Sequence, residues 1–368
     1  MKITIPRQEL LDAVNKVKTV VSPRSALPIL SHILMEAEES SVKLTATDLK
    51  VSIECSVDAT VERAGSLTVS SQRLASVLSE LPEEPIVLEL SESNVVALSC
   101  GLIETKLFSM SPEEFPPVRD FEGVEPVVLG GGLLKKLFWR TSFAICSDQA
   151  RYNLTGLLFE MSGSELVAVA TDGRRMSLCK ESADLAEGVG FKVIVPGKMV
   201  TELERLLGDE DEVSVYMGET QGAFAFGSVR LVTALIEGSF PNYETVVPKK
   251  LDRELILDTA AFLEGVRRTR TMTNDKFNSV RFGIEAGLLR LRVVTPEVGE
   301  YNEEIAVDYE GEPVEIAFNP DFILDVLRRV DGEQVCFALK DAASPGVLRP
   351  ANAAENMGYV NVIMPIRI

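Results

Sequence analysis

The chain has 368 residues, 37 basic against 56 acidic side chains, a formal net charge of -19, and 46% hydrophobic and 25% charged residues. That length exceeds what one hydrophobic core organises, and the composition is that of an ordinary globular protein, so two or three domains are expected. No apolar stretch reaches the length of a membrane span, and "MKITIPRQELLDAV" lacks the apolar core of a secretory signal, so a cytosolic protein is expected.

In chain order, "MKITI" reads as a short strand leading into an amphipathic helix over 7–20. Strands of alternating polarity follow, then a second strand and a helix over 70–81. The same order then returns twice. "EPVVL" precedes a helix over 133–148 and "KVIVP" one over 197–207; "RELIL" precedes 260–276 and "VEIAF" precedes 319–331. Ser70 or Ser71 and Asn319-Pro320 supply helix starts.

Thr47, Thr171 and Thr295 each close an alternating apolar run, 124 residues apart. Phe115-Pro116, Phe240-Pro241 and Met364-Pro365 recur at steps of 125 and 124. A constant step across independent markers predicts a triplicated unit. The domains are expected at 1–122, 123–249 and 250–368, each of two βαβββ-like halves in an α+β fold. Their boundaries fall in "FEGVEP" and "VPKKLDRE", where turn formers and charge interrupt the apolar pattern.

Charge divides by element. The six predicted helices hold 15 basic and 11 acidic residues, which leaves 22 basic against 45 acidic elsewhere. The first helix of each repeat is the more basic one, through Lys16 and Lys18, then Lys135, Lys136 and Arg140, then Arg267, Arg268, Arg270 and Lys276. Two readings stand. The helices form a mildly cationic face for sequence-independent contact with a polyanion, or they are salt-bridged surface elements.

Catalytic chemistry finds little support. Cys55, Cys100, Cys146, Cys179 and Cys336 are scattered with no CxxC pair, as buried reduced thiols would be. His32 is the single histidine, and it lies beside a strand with no matching nucleophile motif. "VLGGGLLKK" lacks the spacings of phosphate loops and reads as a flexible entry to a helix. "GDEDEV" lacks the ligand spacing of a calcium loop and reads as a solvated turn. No catalytic residue, metal or cofactor is nominated. "ATDGRRM" differs, because the other repeats carry "TDLKVS" and "TPEVGE" there. It is either a plain Asp-Gly turn with two solvated arginines or a function laid on one copy of a shared scaffold.

"PRSALPIL", "RYNLTGLLFE", "ATDGRRMSL", "GSFPNYETVVP" and "IMPIRI", in this order over the whole chain, resemble the bacterial DNA polymerase III β subunits, the sliding clamps. The resemblance implies a DNA-clamp fold and a non-enzymatic processivity factor. Two three-domain chains would close a ring around duplex DNA, helices lining the hole and sheets outside. The implied partners are the clamp loader and the replicative and repair polymerases that carry clamp-binding peptides. By similarity, DNA contact falls on Arg24, Arg73, Gln149, Tyr152 and Lys198, with Asn153 standing where the family often has a second aromatic.

The same resemblance implies a peptide groove between domains 2 and 3. Its residues would be Leu154, Thr171, Gly173, Arg174, Arg175, Met176, Pro241, Val246, Val362, Met364, Pro365, Ile366 and Arg367. Arg174 stands where a histidine is common, and Thr245 where an arginine is common. The implied dimer contact sets Lys106 and Leu107 of the first domain against Met272, Glu300, Glu303 and Glu304 of the third. From the residues alone, an enzyme with an acidic site and a peptide-binding scaffold without a DNA role remain as rivals.

Overall fold

A computed structural model describes residues 1–21, 26–91, 94–121, 124–183, 190–248, 250–353 and 358–367. Arg24 and residues 122, 123 and 249 of the expected boundaries lie outside the described residues. Among the described residues there are six α-helices: α1 (Arg7–Val17), α2 (Ser71–Glu80), α3 (Gly131–Thr141), α4 (Gly197–Leu206), α5 (Thr259–Arg270) and α6 (Pro320–Leu327). Each is preceded by one strand and followed by three, so the βαβββ half occurs six times, with one additional short strand at Thr60–Arg63. None of these helices is long and apolar enough to cross a membrane.

The helices end earlier than periodicity predicts, α6 and α1 by a few residues and α3 and α5 by the most. The expected helix over 260–276 stops at Arg270, because the threonines beyond it hydrogen-bond locally. Thr271 Oγ1 donates to the Arg268 carbonyl and Thr273 Oγ1 to that of Arg270, while Asn274 Oδ1 accepts from the amides of Lys276 and Phe277. Such short polar side chains offer the backbone an alternative to the helix ladder. Likewise α3 stops at Thr141, whose hydroxyl donates to the Leu137 carbonyl, and a short 3₁₀ turn follows.

The chain forms two compact units, Met1–Gly132 with Thr201–Leu235, and Leu133–Val200 with Ile236–Ile368. The division cuts the middle repeat because sheets, not repeats, are the units of pairing. In the first unit an eight-stranded sheet runs Val127–Gly130, Glu212–Met217, Gln221–Phe226, Val229–Ala234, Val51–Asp58, Ser41–Thr47, His32–Glu38, Gly65–Ser70. Val229–Ala234 of repeat two thus pairs with Val51–Asp58 of repeat one, and Arg230 meets Glu54 across the seam at 3.2 Å. A five-stranded sheet runs Thr60–Arg63, Lys2–Ile5, Ile86–Leu90, Val95–Cys100, Ile103–Phe108.

The second unit repeats this plan. Its eight-stranded sheet joins repeats two and three where Arg175–Ser182 pairs with Tyr359–Ile363, and its four-stranded sheet ends on Gly299–Ala306. In every repeat the strand that opens one half pairs with the three-stranded run of the other half, which locks the halves together. Phe262, Phe282, Phe318 and Phe337 pack beneath α5 with ring centroids 5.7 to 6.3 Å apart. All five cysteines are free and buried, as expected.

Leu49, Gly173 and Glu297 occupy the same position of the three repeats, and all have positive φ, at 75, 82 and 66°. Repeats one and two close this turn with the same bonds. Asp48 Oδ1 accepts from the amides of Lys50 and Val51, and Asp172 Oδ1 from those of Arg174 and Arg175. Thr47 Oγ1 and Thr171 Oγ1 each accept the amide two residues on and donate to the carbonyl four residues on. The turn is therefore common scaffold; only its side chains are particular to repeat two. A branched leucine in the left-handed region costs about 1 kcal/mol that glycine does not pay. Leu49→Gly is therefore expected to raise the unfolding midpoint of the first unit by the equivalent of about 0.5–1 kcal/mol. An unchanged or lower midpoint in a denaturant titration would show that Leu49 side-chain contacts outweigh the strain.

Candidate functional site

Within the second unit a pocket of about 240 Å³ is lined by Leu154, Thr171, Gly173, Arg174, Arg175, Met176, Phe240, Pro241, Tyr243, Val246, Val362 and Met364. Ten of the thirteen residues expected in the groove line it. Pro365, Ile366 and Arg367 do not: after Met364 the chain turns away, and the Ile366 amide donates to the Ala317 carbonyl at 2.8 Å. A carbonyl of the four-stranded sheet holds the tail there, which spacing could not reveal. Phe240 and Tyr243 line the pocket without having been expected. For Phe240 a signal was available, since the Phe-Pro marker at 240 keeps phase with the Met-Pro pair at 364.

The pocket floor is core. Met176 and Val362 face each other across the paired strands, and together with Tyr243 and Leu158 they belong to one buried apolar cluster. One rim is the 172–174 turn, tied to the C-terminal segment where the Met364 amide donates to the Arg174 carbonyl at 2.9 Å. Gly173 suits this turn, since its φ of 82° strains any other residue. A Cβ on it would come within 2.9 Å of Arg151 Nη1, which itself donates to the Asp172 carbonyl at 2.9 Å.

The two arginines of the turn play opposite parts. Arg175 is committed to the protein, donating to Asp325 at 2.6 Å, to Asp172 at 3.2 Å and to the Phe143 carbonyl at 2.7 Å, with its guanidinium stacked 4.5 Å from the Phe322 ring. Arg174 is exposed, and no side chain among the described residues pairs with its guanidinium. The opposite rim is a short 3₁₀ turn, Tyr243–Thr245, capped by Asn242, with Asn153 Nδ2 donating to the Ser239 carbonyl at 3.0 Å to hold its entry. Asn153 thus acts as a strut, and Thr245 spends its hydroxyl on the Asn242 carbonyl. Burial, and then the nearby Glu160, Glu244 and Glu165, push the Tyr243 hydroxyl up to about 12, so it stays a neutral donor at the pocket wall.

The residues expected to contact DNA are not among those that line this pocket. Arg73 on α2, Gln149 and Tyr152 in the 3₁₀ segment Gln149–Leu154, and Lys198 on α4 are all exposed; Arg24 is outside the described residues. The helix charges divide between the two readings left open above. Arg140 is core, 7% exposed, bonded to Glu181 and Asp331 and 4.9 Å from the Tyr359 ring. Arg268 and Arg270 pair with Glu303 and Asp321. The lining expected from Arg140 is corrected: its carboxylate partners draw it inward.

Lys106 and Leu107 lie on Ile103–Phe108, the last strand of the five-stranded sheet, and Glu300, Glu303 and Glu304 on Gly299–Ala306, the last strand of the four-stranded sheet. The acidic strand is not a bare anionic face. Arg292, Arg268 and Arg290 of the same chain pair with Glu300, Glu303 and Glu304 in turn. Met272 sits over this edge, its methyl 3.3 Å from where a Cβ on Gly299 would stand. On the other edge Phe108, 84% exposed, and Leu102, fully exposed, are the prominent apolar groups, and both were missed.

Two motifs set aside in the sequence meet each other. The amides of Gly131 and Gly132 donate to the carbonyls of Asp211 and Asp209, at 2.7 and 3.1 Å. A Cβ at Gly131 would overlap the Gly208 carbonyl. The glycines therefore admit a capping loop, not a phosphate. No cluster of metal-ligating side chains occurs among the described residues. His32 Nδ1 lies 3.3 Å from the Pro28 carbonyl, and burial lowers its pKa, as befits a structural histidine.

Comparison with known proteins gives three consecutive family matches. Residues 1–119, 129–242 and 244–367 match the N-terminal, central and C-terminal domains of the DNA polymerase III beta subunit. The chain is 35% identical to a beta sliding clamp of Pseudomonas putida, both covered in full, and 33% identical to one of Chlamydia muridarum, covering 100% of this chain and 99% of the other. Among solved structures, a sliding clamp from Pseudomonas aeruginosa bound to griselimycin superposes with a TM-score of 0.94 at 33% identity, over the whole of both chains. One from Bacillus subtilis gives 0.96 at 28% identity, over 100% of this chain and 99% of that one. With three repeated α+β domains and these matches from end to end, the chain belongs to the DNA polymerase III beta-subunit family, the beta sliding clamps, and is a DNA polymerase processivity factor.

Proposed function

We propose that two chains join head to tail into a closed ring of six domains around duplex DNA, and that the pocket beside Arg174 takes a short extended peptide from polymerases and the clamp loader. The carrying observation is topological. Within the chain, the last strand of a repeat's second half pairs with the last strand of the preceding repeat's first half, at Val229–Ala234 with Val51–Asp58 and at Tyr359–Ile363 with Arg175–Ser182. Continuing that rule, Ile103–Phe108 of one chain pairs with Gly299–Ala306 of another, and two such head-to-tail contacts close a ring of two. Exposed Phe108, with Leu107 and Met272, supplies the apolar seam, and Lys106 meets a strand carrying Glu300, Glu303 and Glu304.

The domains of this ring are 1–122, 123–249 and 250–368. Encirclement explains a protein of net charge -19 on an anionic polymer, since a ring is retained by linkage and not by affinity. Arg24, Arg73, Gln149, Tyr152 and Lys198 would supply weak backbone contacts that permit sliding. The chain performs no catalysis, and its place is in the cytoplasm on DNA. The apolar pocket floor suits hydrophobic anchors of a peptide, and the Arg174 guanidinium suits an acidic or carbonyl group beside them.

Loading onto a nicked circular plasmid followed by linearisation tests the reading. The protein is expected to elute with the plasmid while it is circular and to be released on cutting. Retention on the linear product would sink encirclement.

A further inference from the structure

Both internal junctions are closed by an arginine at one position of the repeat. In the first unit Arg205 of α4 donates through Nη2 to the Lys16 carbonyl at 2.8 Å and to Thr19 Oγ1 at 2.9 Å, where α1 ends, and Glu202 holds it at 2.7 Å. In the second unit Arg329, just beyond α6, donates through Nε to the Trp139 carbonyl at 2.8 Å, where α3 ends, with its guanidinium 4.7 Å from the Phe143 ring. Arg205 and Arg329 are 124 residues apart, one repeat step. Each cation sits at the carbonyl end of a helix, where the partial charge is negative.

The matching position in repeat one carries the opposite charge. Leu74, Ala75 and Leu78, the buried face of α2, align with Met199, Val200 and Leu203 of α4 and with Ile323, Leu324 and Leu327 of α6. That alignment sets Glu80 in the place of Arg205 and Arg329. The buried face of α3, Leu134, Leu137, Phe138 and Thr141, aligns with Phe262, Gly265, Val266 and Thr269 of α5. The helix end that Glu80 would meet in a second chain therefore bears Arg267 and Arg268. A carbonyl oxygen has no hydrogen to donate to a carboxylate, so at this junction the partner is a donor group, and a cation is the one that also matches its charge. Arg268 is already bound to Glu303, whereas the Arg267 side chain is 68% exposed with a single contact to Glu264 one turn away. Glu80 is exposed and has no hydrogen-bond or ion-pair partner among the described residues.

We propose that Glu80 of one chain pairs with Arg267 of a second copy, a charge-inverted form of the clasp that closes the two internal junctions. The pairing rests on the head-to-tail dimer proposed above. Two exposed side chains are screened by salt, whereas the internal clasps, tied to main-chain carbonyls, are less so. The junction between chains is then the salt-sensitive one.

A charge-swap cycle read by sedimentation equilibrium tests the pair. Glu80→Lys and Arg267→Glu are each expected to raise the dimer dissociation constant about fivefold or more, and Glu80→Lys with Arg267→Glu to return it to within about twofold of wild type. Raising the salt should weaken the wild-type dimer more steeply than an E80Q/R267Q dimer. Both residues are exposed, and unchanged thermal melts confirm that the variants fold. A dimeric wild type whose double variant merely sums the single effects overturns the pair alone. A wild type that stays monomeric at micromolar concentration overturns the head-to-tail dimer, and the pair with it.

Discussion

A chain ending at Ile363 is expected to fold and dimerise as the full chain does, yet to lose peptide affinity by about thirtyfold or more, roughly 2 kcal/mol. Met364 is 44% exposed on the pocket rim, and its amide is bonded to the Arg174 carbonyl, so its removal opens one wall and takes away one tie of the 172–174 turn. The strand Tyr359–Ile363 stays in its sheet and preserves the floor through Val362. Fluorescence anisotropy of a labelled polymerase-tail peptide reads the loss. Equal affinity for the shortened chain would remove the pocket from peptide binding. Met364→Ala alone should account for about tenfold, the contribution of a half-buried thioether.

Phe108→Asp is expected to raise the dimer dissociation constant about a hundredfold or more, the scale of an aromatic anchor at the centre of an interface. In the proposed dimer the substitution would place a carboxylate in an apolar seam, opposite a strand that already carries three glutamates. In the isolated chain Phe108 is 84% exposed, so the stability of a monomer should hardly change. That separation makes the result informative. Sedimentation velocity should find a folded monomer; a dimer of wild-type strength would exclude the Ile103–Phe108 edge from the contact.

The triplication was legible because it depends on spacing, which tertiary structure does not alter. A threonine at the close of a strand every 124 residues marked the same turn three times, and alternating polarity marked the strands beside it. Helix ends were less legible. The threonines after α5 keep helical periodicity yet bond locally, and only their hydroxyl partners reveal the stop. Most of the pocket could be named through resemblance to the clamps, but its limits could not. Ile366 and Arg367 sit in the sequence beside Met364 and leave the wall because the Ala317 carbonyl draws the chain away.

Arg140 was misjudged for a related reason. A charge count treats every arginine as surface, and only the packing of Glu181, Asp331 and the Tyr359 ring around it makes this one core. Residue order alone sets the repeat and its βαβββ halves. Each follows from the order and polarity of residues, which act locally. Which of two neighbouring arginines is available depends on the folded chain. Arg175 is bound to Asp325, 150 positions along the chain, while Arg174 faces outward. Long-range partners consume side-chain chemistry, and no local pattern records which groups they leave unspent.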